Sequence, residues 1–306
     1  MNILVTGATG FIGHHLVTQL KQAGHAVKVL SRDAARAGRK LGVPAYDWHY
    51  AEEEVPPAAL ENVQIIIQLM GENLGTGRWT AKRKREMYES RIVSTRKLVA
   101  AAPASLERLV CGSAIGIYPG TGDEIYDESF VVPAEAGFMQ TLCRDWEAEA
   151  AGIEAKGVRR VSIRTGVVLG DGGMLDKLLP IFRLGLGGPV GDGRQWLPWI
   201  HINDLVGVFL AAALDSRYHG PINAVAPNPV RYRAFAAALG KALHRPAFFP
   251  VPAWVLKLLL GEAAALALNS YHVVPARLLQ EYDFKFQYAD LPAALADLVG
   301  QDKSGT

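Results

Sequence analysis

The chain opens Met1-Asn2-Ile3-Leu4-Val5-Thr6-Gly7-Ala8-Thr9-Gly10-Phe11-Ile12-Gly13, and this stretch decides the fold. Residues 3–5 are a continuous apolar run, as a parallel strand buried on both faces requires. The run breaks into Gly7, Gly10 and Gly13, and a helical stretch follows through His14, Leu16, Val17 and Leu20. Strand, glycine turn and helix in that order let backbone approach a pyrophosphate closely. Gly7 permits the tight turn, Gly10 removes a side chain where phosphate must approach, and Gly13 lets the helix sit near its strand. The helix N-terminus adds unpaired N–H groups and about half a positive charge. The spacing is G-x-x-G-x-x-G, not the commoner G-x-G-x-x-G. Its weight comes from its place between a strand and a helix.

Bulk properties bound the rest. The 306 residues suffice for one large domain plus a smaller one. Half of them are hydrophobic, and the formal net charge of +2 singles out no nucleic-acid or acidic partner. Two cysteines, Cys111 and Cys143, are too few for a disulfide framework, so a reducing, cytoplasmic compartment is expected. No signal peptide is expected ahead of the first strand. No apolar run reaches the roughly 18 residues of a membrane span. The apolar stretch 251–268, broken by Lys257, Gly261 and Glu262, reads as a packed helix pair.

Further strand-like runs fall at 26–30, 63–69, 109–112 and 158–164, with helical stretches at 82–102 and 137–156. Apolar strands alternating with helices mean an α/β protein, a doubly wound parallel sheet covered on both faces. From 169 to 198 the chain is rich in glycine and proline and reads as a loop-rich excursion over the sheet's C-terminal edge, where ligands bind in such folds. It returns through a strand at 200–202, a helix at 205–214, a strand at 222–225 and a helix at 232–243. Pro246, Pro250 and Pro252 then open the last segment. The expected division is a dinucleotide-binding core of 1–168 with the returning 200–225. A substrate-side region of 169–199 and 226–300 completes it, with a small C-terminal domain from about 246 and a loose tail at 301–306.

The end of the second strand reads Ser31-Arg32. An NAD site places a carboxylate there, on the ribose 2′-hydroxyl. An arginine fork instead suits a 2′-phosphate, so the cofactor reading is NADP(H). Asp33, one residue late, would bring a carboxylate to the ribose after a small register shift. The basic run Lys82, Arg83, Lys84 and Arg85 reads as a solvated helix face. RNA binding through it would need more aromatic stacking surface than Trp79 and Tyr88 provide. No metal site is expected: the eight histidines are scattered, and the adjacent His14 and His15 should leave the helix on different faces. Neither nucleic acid nor membrane is expected as a partner, and both monomer and homodimer stay open.

At this point a resemblance enters. Thr6-Gly7-Ala8-Thr9-Gly10-Phe11-Ile12-Gly13, Arg164-Thr165-Gly166-Val167-Val168-Leu169-Gly170 and Trp199-Ile200-His201-Ile202-Asn203-Asp204 resemble signatures of the extended and atypical short-chain dehydrogenase/reductase superfamily. Residues 182–191, together with Met70-Gly71-Glu72-Asn73 and Arg78-Trp79, are similar to its epimerase-like branch, which carries a small C-terminal domain of unknown function. The resemblance implies a Rossmann fold. It implies cofactor contacts at Gly7, Thr9, Gly10, Phe11, Ile12, Gly13, Ser31, Arg32, Leu69, Met70 and Gly71, with Glu86 and Arg91 close by and Arg164 and Thr165 beside the nicotinamide.

The superfamily's chemistry uses a serine and a Y-x-x-x-K pair on one helix, four residues apart and so on one face. Aligned on Glu147, the corresponding places here hold Met139 and Cys143. Neither can do that acid–base work. The remaining candidates are Ser113, Tyr118 and Glu72 for catalysis, and Trp196, Trp199 and His201 at the substrate. His201 also reads as a core histidine, Asp204 as a helix cap and Cys143 as a buried thiol. Two functions follow. One is an NADP(H)-dependent oxidoreductase or epimerase acting on a small sugar-like or carbonyl compound. The other is a catalytically weak or inactive NADP(H)-binding sensor or regulator, of the kind the resemblance links to cell division.

Overall fold

The computed structural model describes residues 1–301, and most of the tail expected to be loose, 302–306, lies outside the described residues. The chain begins β1 (Asn2–Thr6), α1 (Phe11–Gln22), β2 (Ala26–Ser31), α2 (Ala34–Leu41), β3 (Ala45–Asp47), α3 (Pro57–Leu60) and β4 (Ile65–Gln68). It continues through α4 (Ala81–Ala100), β5 (Arg108–Ala114), β6 (Ile125–Tyr126), α5 (Phe138–Ala151) and β7 (Arg159–Thr165). Then come β8 (Val167–Gly170), β9 (Gly172–Gly173), α6 (Met174–Arg183), β10 (Trp196–Leu197), β11 (Trp199–His201), α7 (Ile202–Leu214) and β12 (Gly220–Ala224). The last part holds β13 (Val230–Arg231), α8 (Tyr232–Ala242), α9 (Ala253–Leu260), α10 (Ala265–Leu268), β14 (His272–Val273), α11 (Ala276–Gln280) and α12 (Leu291–Gln301).

Seven strands form one sheet in the order β12-β7-β5-β4-β1-β2-β3, every pair parallel. Successive side chains of a strand point to opposite faces. Ile3, Val5, Ile65 and Ile67 therefore join α1 and α7 in one core, while Leu4, Ile66, Leu109 and Cys111 join Leu98 of α4 and Trp146 and Ala150 of α5 in another. Two buried faces are why the strands read as unbroken apolar runs. The strand order reverses between β1 and β4, and that reversal opens a crevice at the C-terminal ends of the strands.

Three expectations change. The edge strand β3 carries no apolar run, because its three residues are at most half-buried. The excursion 169–198 is not all loop: it holds the ten-residue α6, with Pro180 inside it, and contributes to two small sheets, β11-β8-β9 and β10-β13. Finally, 251–268 is not a packed pair. α9 buries none of its residues, and Trp254 and Leu258 are 68% and 67% exposed. Ala253 and Lys257 line a cleft, while Leu256 and Leu260 pack against core clusters from the inner side of α9. Among the described residues no helix is long and apolar enough to cross a membrane.

Candidate functional site

The glycine turn is held open by contacts that exclude any side chain. Gly7 adopts φ +66°, and a Cβ there would come within 2.8 Å of the Leu69 carbonyl. A Cβ on Gly13 would sit 2.3 Å from the Gly7 oxygen. Gly10 is the N-cap of α1 and supplies no side-chain cap; the first turn carries no acidic residue. The N–H groups of that turn thus face the crevice with no carboxylate competing for them. Thr6 Oγ1 bonds Gln68 and accepts from the Leu69 and Met70 N–H groups, both at 3.2 Å, fixing the end of β4 beside the turn. Lys40, which sequence reading passed over, donates from Nζ to the Thr9 carbonyl at 3.2 Å and brings a cation to the rim of the cradle. These residues fit a dinucleotide diphosphate.

The ambiguity at the second strand is resolved by a cap. Asp33 caps α2, its carboxylate accepting from the Arg36 N–H at 2.8 Å, and Ser31 Oγ accepts from the Asp33 N–H at 3.2 Å. The carboxylate is turned into the helix. Arg32 is exposed, and no hydrogen bond or ion pair among the described residues engages its guanidinium.

At the far end of the crevice the expected catalytic groups are tied to one another. Ser113 Oγ donates to Glu147 Oε1 at 2.7 Å, and Arg164 grips both oxygens of Glu147 at 2.9 and 3.0 Å. Arg164 also donates to the Tyr118 hydroxyl at 3.0 Å, which lies 2.7 Å from Asn223 Oδ1. Burial pushes the Tyr118 pKa up to about 12. Arg164, expected beside the nicotinamide, is 5% exposed and belongs to this network. The network knits β5, α5, β7 and β12 together. Its hydroxyls are bound within the protein.

Several other candidates are also engaged. Glu72 pairs with Arg83 at 2.9 Å, and Arg83 reaches Glu86 at 3.4 Å and the Asn73 carbonyl at 2.9 Å. Lys84 reaches Glu262, beyond α9, at 2.9 Å. The basic run is therefore not simply a solvated face: two of its members fasten the loop after β4 and the C-terminal segment. Trp199 and His201, candidates for the substrate, lie in the core, which bears out the alternative reading of His201 as a core histidine. Trp199 donates to the Asn228 carbonyl at 3.2 Å. His201 stacks on Tyr288 at 3.8 Å and accepts at Nδ1 from the Asn203 N–H at 3.1 Å, so it is the cap of α7. Asp204, expected in that role, accepts from the Gln287 and Tyr288 N–H groups at 2.7 and 2.9 Å. His14 and His15 do not diverge. Their rings lie 4.0 Å apart, and His15 meets Asp171 at 2.7 Å, so three potential ligand atoms fall within 4.8 Å of one another.

The open space is a cleft of two adjoining cavities, about 600 and 940 Å³, which share Gly116, Met139, Gln195, Asn269 and Tyr271. Thr165 and Trp196 line the smaller one, whose wall is largely apolar: Leu74, Ile115, Met174, Leu260 and Leu266. Lys177 is the cation among its described lining residues, and its Nζ donates to the Gly75 carbonyl at 2.6 Å. Trp196 stacks between His272 and Arg231, each at 4.0 Å. Met139 crowds Gly116, where an added Cβ would meet Met139 Cε at 2.7 Å. Burial pushes the Cys143 thiol up to about 12, so it stays protonated and unreactive. A phenol does border the cleft from the other side. Tyr271 is half-buried, its hydroxyl accepts from Asn269 Nδ2 at 3.2 Å, and burial raises its pKa. Nothing in its local sequence marked it.

A glycine cradle at the reversal of a parallel sheet defines a dinucleotide-binding protein of the doubly wound class. The profile of the NAD dependent epimerase/dehydratase family matches residues 3–224, and the chain belongs to that family. Residues 251–298 match a domain of unknown function, DUF1731. The chain is 39% identical over 304 residues to the chloroplastic epimerase family protein SDR39U1 homolog of Arabidopsis thaliana, covering 96% of this chain and 86% of that protein. It is 35% identical to epimerase family protein YfhF of Bacillus subtilis, covering 99% and 100%. The crystal structure of human epimerase family protein SDR39U1 (isoform 2) with NADPH superimposes with a TM-score of 0.87 at 33% identity, covering 98% of this chain and 99% of that one.

Proposed function

We propose that the chain binds NADP(H) in the crevice and carries out redox chemistry on a small, largely uncharged carbonyl or sugar-like compound in the adjoining cleft. The observation that carries the cofactor choice is the pair Arg32 and Asp33. The guanidinium is free at the ribose end, while the carboxylate that would repel a 2′-phosphate caps α2. The similar human protein, crystallised with NADPH, supports the same reading. In it, the first turn of α1 holds the diphosphate and Lys40 adds charge at its rim. Residues 1–168 with 200–225 carry the dinucleotide, and 169–199 with 226–300 close over the substrate. When bound, the nicotinamide supplies or accepts a hydride.

Proton transfer falls to Tyr271. It borders the cleft beside Met139, burial raises its pKa, and the Asn269 amide orients it. Ser113 and Tyr118 support the site through Glu147 and Arg164. Titration with NADPH and NADH tests the cofactor. Arg32→Ala should weaken NADPH by about 10- to 100-fold, the scale of charged hydrogen bonds, and leave NADH unchanged. Equal effects on both would end the NADP(H) preference.

A second reading, a sensor with little turnover, is favoured by the engaged Ser113 and Tyr118 hydroxyls and by Met139. NADPH oxidation across a panel of small carbonyl compounds separates the two. Tyr271→Phe should cut any turnover found by about 10²–10⁴ with NADPH affinity intact. NADPH binding without oxidation of any compound would leave the sensor.

A further inference from the structure

The geometry points to a site for one divalent transition-metal ion on His14, His15 and Asp171, clamping the cradle helix α1 to the tip of the β8–β9 hairpin. One ligand atom from each of the three side chains lies within 4.8 Å of the other two. His15 Nε2 and Asp171 Oδ1 are 2.7 Å apart, and the two imidazole rings lie 4.0 Å apart. The His14 ring makes no hydrogen bond among the described residues, so both its nitrogens are free. Two imidazoles and a carboxylate suit zinc, cobalt, nickel or copper, whereas magnesium and calcium take oxygen donors.

The carboxylate is held in place by packing. Asp171 is the single residue between β8 and β9, whose pairing sets Gly170 opposite Gly172. Both glycines press on the Phe11 ring: a Cβ added to either would come within 2.7 Å of it. Phe11 lies one turn before His15 on α1, so the two share a helix face. Their rings meet edge to face with centroids 6.1 Å apart. The hairpin tip is thereby locked over His15, and two of the three donors need little ordering when an ion arrives. A tetrahedral site with bonds of about 2.1 Å sets its donors about 3.4 Å apart. The His15–Asp171 pair opens slightly to reach that spacing, and the half-buried His14 swings in by at most about 1.4 Å.

None of the three residues lines either cavity, so the ion does not meet substrate there. Its role is mechanical. α1 begins at the glycine turn, and Gly173 and Met174, just beyond Asp171, line the smaller cavity. The ion ties these two parts together across 156 residues of chain. Water fills the position that three protein donors leave open. Cys111 and Cys143 are buried and do not compete for the ion in the folded protein.

The test is calorimetric titration of zinc chloride into the tag-free full chain after treatment with a chelator. Wild-type protein should take up one ion per chain, and His14→Ala and Asp171→Asn should each weaken it by at least about tenfold. Asp171→Asn keeps an acceptor for His15 and loses only the charge, so it carries the test if the alanine variant does not fold. Zinc at roughly 100 times its dissociation constant should raise the wild-type thermal midpoint by about 5 °C, and the midpoints of the variants by about half of that or less. No uptake by wild-type protein, or the same affinity in both variants, overturns the site. Weakening by Asp171→Asn alone, with a folded His14→Ala unaffected, overturns the three-donor assignment. Uptake that leaves the wild-type midpoint unmoved overturns the clamp.

Discussion

The two ends of the crevice are built from different materials. At the β1–β2 end the ligand-facing surface is mostly backbone: the Gly7–Gly13 turn and the first N–H groups of α1, with Arg32 added at the rim. At the β4–β5 end it is mostly side chain: Met139, with the Ser113–Glu147–Arg164–Tyr118 network behind it. Backbone sites tolerate almost no substitution, because any Cβ meets a carbonyl or a Cα. Side-chain sites can change their chemistry while the fold stays put.

That contrast can be broken or sharpened by experiment. The largest effect is expected at Glu147. Truncation to Ala leaves Arg164 buried without its carboxylate and should cost about 3–5 kcal/mol in urea unfolding. A loss below about 1 kcal/mol would mean that the network is not the scaffold of the β4–β5 end. Next comes Gly13→Ala. The new methyl, 2.3 Å from the Gly7 oxygen, should cost about 1–3 kcal/mol and weaken NADPH and adenosine 2′,5′-bisphosphate, which lacks the nicotinamide riboside, alike. Bisphosphate binding that survives this change would move the phosphate away from the cradle.

The smallest effect belongs to His201. Burial holds its folded pKa below the ordinary 6.5, although Asp297 pulls the other way. The unfolded chain therefore takes up the proton first. Wild-type stability is full above about pH 6.5 and declines as pH falls below it, by at most about 1.4 kcal/mol per pH unit from this group. His201→Asn, which still caps α7, should flatten that decline in denaturant midpoints between pH 7 and 5 and leave NADPH affinity alone. An unchanged slope would show that His201 does not titrate with folding.

What the sequence revealed follows the same division. The parallel strands announce themselves because both faces are buried, and the glycine turn because its spacing is a backbone requirement. β3 escapes notice as a short, half-exposed edge. α6 hides in a run of glycines with a proline in its middle. Trp199 and His201 sit in an apolar strand beside the glycine-rich excursion, and the sequence cannot tell which side of β11 meets the cleft; both turned inward. Lys40 and Tyr271 become visible only in three dimensions. Lys40 reaches Thr9, 31 residues away, and Tyr271 borders the cleft it shares with Met139.

The sheet order also shapes how the protein is made. β7 has β5 on one side and β12 on the other, yet β12 is synthesised about 55 residues after β7 ends. At about 5–20 residues per second, a ribosome leaves that edge uncovered for roughly 3–11 s. During that interval Val161 and Ile163, fully buried in the finished protein, belong to an open parallel edge. The nascent chain is then at its most prone to pair with a neighbour, and its safe passage depends on how quickly residues 166–219 clear the exit tunnel and deliver the closing strand.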